Sequence, residues 1–130
     1  MIAPEKSQLP LKAHPQFIEV NDEQIQKFHK AFRDGKSKQM PATFTAMAMK
    51  GIFEIVDSLQ TDWRKLLHAT QSFTYHSAIT SPSKIRAEAK LMDCKWRAGM
   101  YWLSFVIEVY EEPSQKLLIT SKSLLMVKAE

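Results

Sequence analysis

Residues 66–77, LLHATQSFTYHS, place His68 and His76 on either side of an aromatic pair, and histidine is the side chain whose charge changes nearest neutral pH. Two histidines that met could hold a metal or relay a proton. The segment has the composition of a strand, however, and eight residues at the usual rise put the two rings roughly 26 Å apart. They cannot share a ligand within one chain. Strict alternation sets Leu67, Ala69, Gln71, Phe73 and Tyr75 on one face and His68, Thr70, Ser72, Thr74 and His76 on the other. On this pattern the histidines decorate the less buried face, where either would act only with groups supplied from elsewhere.

A second set of candidates lies on a helical segment. Lys50, Glu54 and Asp57 fall at i, i+4 and i+7 and form a narrow polar stripe. Beside an acyl pocket, Glu54 or Asp57 could activate water for thioester hydrolysis; the plainer alternative is a solvated stripe in which Glu54 pairs with Lys50. Met40, Met47, Met49 and Met100 could line an adaptable acyl tunnel or simply fill irregular gaps in a core. Cys94 is the single cysteine, which rules out an internal disulfide framework and leaves no zinc cluster. There is no glycine-rich phosphate loop, serine elbow or nucleophilic cysteine arrangement, so neither a metal nor a cofactor is expected.

The elements that must position these residues follow from periodicity. Pro4, Pro10 and Pro15 forbid a continuous helix over residues 1–16 and predict an extended arm. Phe17 to Val20 has the pattern of a short strand. Asn21 with Gln24 makes a capping box, and Val20 with Ile25 a hydrophobic staple. The helix that begins there carries Ile25, Phe28 and Phe32 on one stripe and should stop near Asp34-Gly35. A second helix, capped by Thr43 or Thr45, should run to about Leu59; its apolar residues go most of the way round, as in a buried helix. Four strands follow, at about 65–77, 83–96, 100–111 and 116–128. The second alternates Ile85, Ala87, Ala89 and Leu91 against Lys84, Arg86, Glu88 and Lys90, while the third is apolar on both faces, as a central strand would be. Ala98-Gly99 and Glu112-Pro113-Ser114 supply turns. A buried helix followed by long consecutive strands predicts an α+β hotdog: a strongly curved antiparallel sheet wrapped around the helix.

The chain has 130 residues, enough for one core, so a single domain is expected, with residues 1–16 as the arm and 17–130 as the hotdog. No run approaches the roughly 18 apolar residues of a membrane span, and the N-terminus lacks the pattern of a signal peptide. A cytoplasmic location without membrane association is expected. The net charge of +4 comes from scattered lysines and arginines, and without a basic stripe it argues against a nucleic-acid partner.

LLHATQSFTYHSAI also resembles a family. The MaoC-like dehydratases contain an N-terminal, fungal-fatty-acid-synthase-like hotdog unit marked by a strand of the form Leu-Leu-His, small residue, x-Gln-x-Phe-x-Tyr, and Leu66, Leu67, His68, Gln71, Phe73 and Tyr75 match it. Phe28, the Pro41-Ala42-Thr43-Phe44 entry to the second helix, Gly99 and the final LLITSKSLLMVKAE strand extend the resemblance over residues 17–130. It implies binding of (3R)-hydroxyacyl or enoyl thioesters of CoA or acyl carrier protein, with Phe44, Met47, Gln71, Phe73 and Tyr75 against the acyl chain. Active members use an aspartate and a histidine from a Gly-Asp-x-Asn-Pro-x-His loop, because α-proton removal and hydroxide departure need two placed proton carriers. Here Arg33-Asp34-Gly35-Lys36 stands where that loop is expected, with no Asn-Pro-x-His, and Asp34 is an isolated acid. Ser81-Pro82-Ser83 likewise replaces the usual Gly-Asp turn. The resemblance therefore implies the non-catalytic half, paired with itself or with a catalytic hotdog. The rival expectations are a thioesterase using Glu54 or Asp57, and a homodimeric acyl-thioester binder without chemistry.

Overall fold

The computed structural model describes residues 1–34, 42–79, 83–112 and 114–128. Six strands form one antiparallel sheet: β1 (Leu11–Lys12), β2 (Gln16–Val20), β3 (Leu66–Tyr75), β4 (Ser83–Arg97), β5 (Met100–Glu112) and β6 (Lys116–Lys128). Their order is β1-β4-β5-β6-β3, with β2 continuing along the same edge of β4 as β1. Helix α1 (Asp22–Asp34) and helix α2 (Ala42–Ser58) complete the fold.

Local chemistry accounts for the helix ends. The Asn21 side chain accepts from the Gln24 N–H at 2.9 Å while the Asn21 N–H donates to Gln24 Oε1 at 2.9 Å, closing the expected capping box. Val20 and Ile25 are both buried, as the staple requires. Helix α2 begins at Ala42, ahead of both Thr43 and Thr45, so neither is its cap. At its other end Gln60 takes a positive φ of 57°, letting the Thr61 N–H reach back to the Val56 carbonyl at 3.2 Å. The N-terminal segment is less uniformly extended than expected. A single 3-10 turn at Lys6–Gln8 precedes β1, because prolines that bar a long helix do not bar one turn whose Glu5 N–H is satisfied by Gln8 Oε1 at 2.7 Å.

The sheet curves through three bulges. Ala69 in β3, Met92 in β4 and Leu118 in β6 each lack a register partner, while their neighbours stay paired. Each extra residue bends its strand and increases its twist, and together they wrap the sheet around α2. The concave face is the core: Ile85, Ala87, Ala89 and Leu91 from β4, Leu103, Phe105, Ile107 and Val109 from β5, and Leu125 and Val127 from β6 are all buried. This is the expected α+β hotdog arrangement.

Helix α2 does not lie centrally in the curve. Its backbone approaches β4 most closely. The reason is a set of small residues, for a Cβ on Gly51 would come within 2.6 Å of the Ala89 Cβ and 3.7 Å of the Ala13 Cβ. The helix is drawn to one side of the concave face, and the opposite side, under β6 and β3, is left partly uncovered. Helix α1 closes the far end of that side, where Phe28 and Phe32 meet the Tyr75 ring edge-on at centroid distances of 6.4 and 6.5 Å. Among the described residues no helix is long and apolar enough to cross a membrane.

Candidate functional site

The displacement of α2 toward β4 leaves a cavity of about 490 Å³ between that helix and the β6–β3 ladder. Met49, Ile52 and Phe53 form its helix wall. Ile107, Ser123 and Leu125 form the floor, and Leu66, His68 and Gln71 the strand wall, with Arg64 at the mouth. A concave, largely apolar slot with a few converging polar groups is the usual form of a small-molecule site.

The position of His68 corrects the expectation from strict alternation. The bulge at Ala69 inserts an unpaired residue, so His68 opposite Leu125 and Gln71 opposite Ser123 share one face. Leu66, His68, Gln71, Phe73 and Tyr75 therefore point into the curve, and Leu67 is turned out with 54% of its surface exposed. His76 stays on the outer face, its Nε2 lying 2.9 Å from Thr120 Oγ1. The two histidines stand on opposite sides of the sheet.

The expected carboxylates are elsewhere. Glu54 faces the N-terminal segment, where its Oε2 accepts from the His14 backbone N–H at 2.6 Å and its Oε1 lies 2.6 Å from His14 Nδ1. These bonds hold the Glu54 carboxyl below its ordinary range, and His14 takes the place expected of Lys50. Asp57 is exposed. Neither carboxylate lines the cavity. Asp34 ends α1, but its side chain and that of Phe44 lie outside the described residues, as do Gly35 to Pro41. Met47 is buried in the core, while Met49, 39% exposed, stands at the cavity. Phe73 and Tyr75 face inward without lining the cavity, and Tyr75 meets α1. Burial pushes the Tyr75 phenol up, and its hydroxyl is buried without a hydrogen-bond partner among the described residues.

Alternation and the family pattern single out Gln71 but miss Arg64, Ile107, Ser123 and Leu125. The Ser121 and Ser123 pair inside LLITSKSLLMV was the available signal, because two hydroxyls on the inward positions of a central strand depart from a wholly apolar core. Arg64 is tied to its neighbour, with Nη2 at 3.0 Å and Nε at 3.1 Å from the Asp62 carboxylate. This pairing lowers the Asp62 carboxyl and raises the Arg64 guanidinium.

Chemically, the arrangement can hold an apolar chain against α2 while offering hydrogen bonds from the strand side. Among the described lining residues His68 is the one imidazole, and no carboxylate accompanies it. Dehydration requires two placed proton carriers, of which the described lining residues supply at most one.

No protein-family model and no curated protein sequence matches the chain. Solved structures do. The C-terminally truncated HadBC complex, a (3R)-hydroxyacyl-ACP dehydratase from Mycobacterium tuberculosis, superposes with a TM-score of 0.58 at 16% identity, over 90% of this chain and 95% of that one. A MaoC-like dehydratase gives 0.56 at 14% identity, over 87% of this chain and 41% of that one. A thioesterase from Haemophilus influenzae gives 0.52 at 14% identity, over 87% and 69%. At these identities the likeness establishes the hotdog fold.

Proposed function

We propose that the chain is the non-catalytic, acyl-chain-binding half of a MaoC-like (3R)-hydroxyacyl-thioester dehydratase or enoyl hydratase, of the fungal-fatty-acid-synthase-like N-terminal type. Residues 17–130 would be the hotdog unit and residues 1–16 an arm strapped to it, working in the cytoplasm without a cofactor. One observation carries this reading: an apolar cavity built from α2, β5, β6 and the family-marking strand β3 contains His68 but no carboxylate among its described lining residues. Such a slot can bind an acyl group, and its described lining residues supply at most half of the acid–base pair that dehydration requires.

Pairing with a second hotdog is supported by strand β3. It bonds to β6 along one side, its other edge has no strand partner among the described residues, and residues 67–72 are all exposed. An open ten-residue edge is a template for another strand. The HadBC dehydratase, one of the structures that this fold resembles, is itself a complex. The thioesterase alternative has less support, because Glu54 is held by His14 and neither it nor Asp57 borders the cavity.

The test compares the purified chain alone with the chain mixed with a catalytic hotdog. Alone, it binds acyl-CoA saturably and neither dehydrates 3-hydroxyacyl-CoA nor releases thiol. Dehydration at enzyme-like rates by the chain alone would refute the non-catalytic assignment. Thiol release lost in Glu54→Ala or Asp57→Ala would establish the hydrolase instead.

A further inference from the structure

The cavity is two-sided. Its helix wall offers carbon and the Met49 thioether, whereas its strand side presents His68, Gln71 and Ser123. Gln71 sits directly opposite Ser123 in the β3–β6 register, and His68 is one inward position further along. Directly opposed side chains on one sheet face lie about 5 Å apart at Cβ, so an amide and a hydroxyl converge on the same volume. Neither Gln71, Ser123 nor His68 has a side-chain hydrogen-bond partner among the described residues, although Ser123 is only 5% exposed. The next inward residue of β6, Ser121, is fully buried with its hydroxyl unpartnered, between Phe73 and Ile107.

Without a ligand, polar groups that reach solvent can bond to water. A ligand displaces that water, and a plain alkyl chain laid along this side would leave the buried Ser123 hydroxyl unpaired and cover the Gln71 amide, which costs affinity. Depth fixes where the matching atom must be. Arg64 and Met49 mark the exposed mouth, while Ser123, Ile107 and Ile52 form the buried end. A thioester head group too large for the slot remains at the mouth, so the atom that meets Ser123 and Gln71 belongs to the acyl chain.

We propose that the cavity selects acyl thioesters whose chain carries a hydroxyl or keto oxygen beyond the thioester end, read by Gln71 and Ser123 with His68 beside them. This rests on the acyl-binding reading above and narrows its substrate class. Gln71 supplies both a donor and an acceptor, and Ser123 likewise, so either oxygen type can be bonded. The Met49, Ile52 and Phe53 wall takes the remaining carbon surface.

The experiment is a calorimetric titration of the full chain with dodecanoyl-CoA and with isomers hydroxylated at mid-chain or near the methyl end. At least one hydroxylated isomer should bind about tenfold more tightly than the plain chain, the scale of one satisfied hydrogen bond. In the Gln71→Leu/Ser123→Ala protein the ratio of the two affinities should fall from about ten to about one. Gln71→Leu alone, at an exposed edge-strand position, makes the same comparison if the double variant does not fold. Equal binding of plain and hydroxylated chains by the parent protein overturns the inference and leaves the acyl site standing, as does a preference that survives in the variants. Failure of every thioester to bind overturns the acyl-binding reading and the inference together.

Discussion

At the scale of single residues, position along a strand decides what each side chain can do. His68 enters the cavity because one unpaired residue, Ala69, shifts the alternation by one. Nothing in LLHATQ announces that shift: alanine is neither the glycine nor the proline that usually marks an irregular strand. The identity of the strand was therefore legible while the face of its histidine was not. On the outer face, alternation served well for Lys90, which the structure sets beside Glu108 and Tyr110, all three partly exposed. Lys90 Nζ donates to Glu108 Oε1 at 2.9 Å, and the Tyr110 hydroxyl donates to Glu108 Oε2 at 2.9 Å. The Lys90 bond is the main cause holding the Glu108 carboxyl down. Burial, then the Glu108 bond, pushes the Tyr110 phenol from 10.0 up to about 12. The folded chain thus keeps a proton that the unfolded chain releases, so stability is whole below pH 10 and declines as pH climbs toward about 12. Tyr110→Phe should lose about 0.5–1.5 kcal/mol at neutral pH, the worth of the hydrogen bond, and show a shallower alkaline decline than the parent. Urea unfolding across that pH window measures both slopes; parallel curves would contradict the assignment.

At the scale of elements, the position of one helix creates the site. The sequence made α2 recognisable as a buried helix and β5 as a central strand, and the alternation in β4 correctly set Ile85, Ala87, Ala89 and Leu91 inward. It did not show where across the sheet the helix would rest. That depends on Gly51 meeting Ala89 and Ala13, a three-way fit among residues far apart in the chain. Gly51→Ala would gain about 1 kcal/mol of helix propensity. The added Cβ would nonetheless stand 2.6 Å from the Ala89 Cβ, which is anchored to a strand and cannot swing aside. Overpacking of this kind costs about 1–3 kcal/mol, so the expected net loss is about 1 kcal/mol. Pushed from β4, α2 would narrow the cavity, and acyl-CoA affinity should fall with stability. Adding Ala89→Gly should restore part of both, a coupling that a double-mutant cycle measures directly. Additive losses would show that the contact does not set the helix position.

At the scale of the whole molecule, an asymmetric core and an open edge belong to one account. One edge of the sheet is covered by β1 and β2, which pair with β4, while β3 at the other edge has no strand partner among the described residues. The cavity opens beside that edge, so a second hotdog pairing there would border the bound chain. Sedimentation should show a species of two or more 15.0 kDa chains, alone or with the partner subunit. Thr70→Lys with Ser72→Lys, on the exposed outer face of β3, should dissociate it without unfolding the protein; a monomer throughout would contradict the pairing. Helix and strand order made the hotdog legible. The volume and lining of the cavity emerge only from bulges and small-residue contacts that no local pattern encodes. The most direct measurement is titration of dodecanoyl-CoA into the parent protein and into Met49→Trp, which fills the mouth from a position 39% exposed and so spares the core. The parent should bind saturably and the variant at least about tenfold more weakly, with its melting temperature unchanged. Equal affinity of the two proteins would place the acyl chain somewhere other than this cavity and contradict the account.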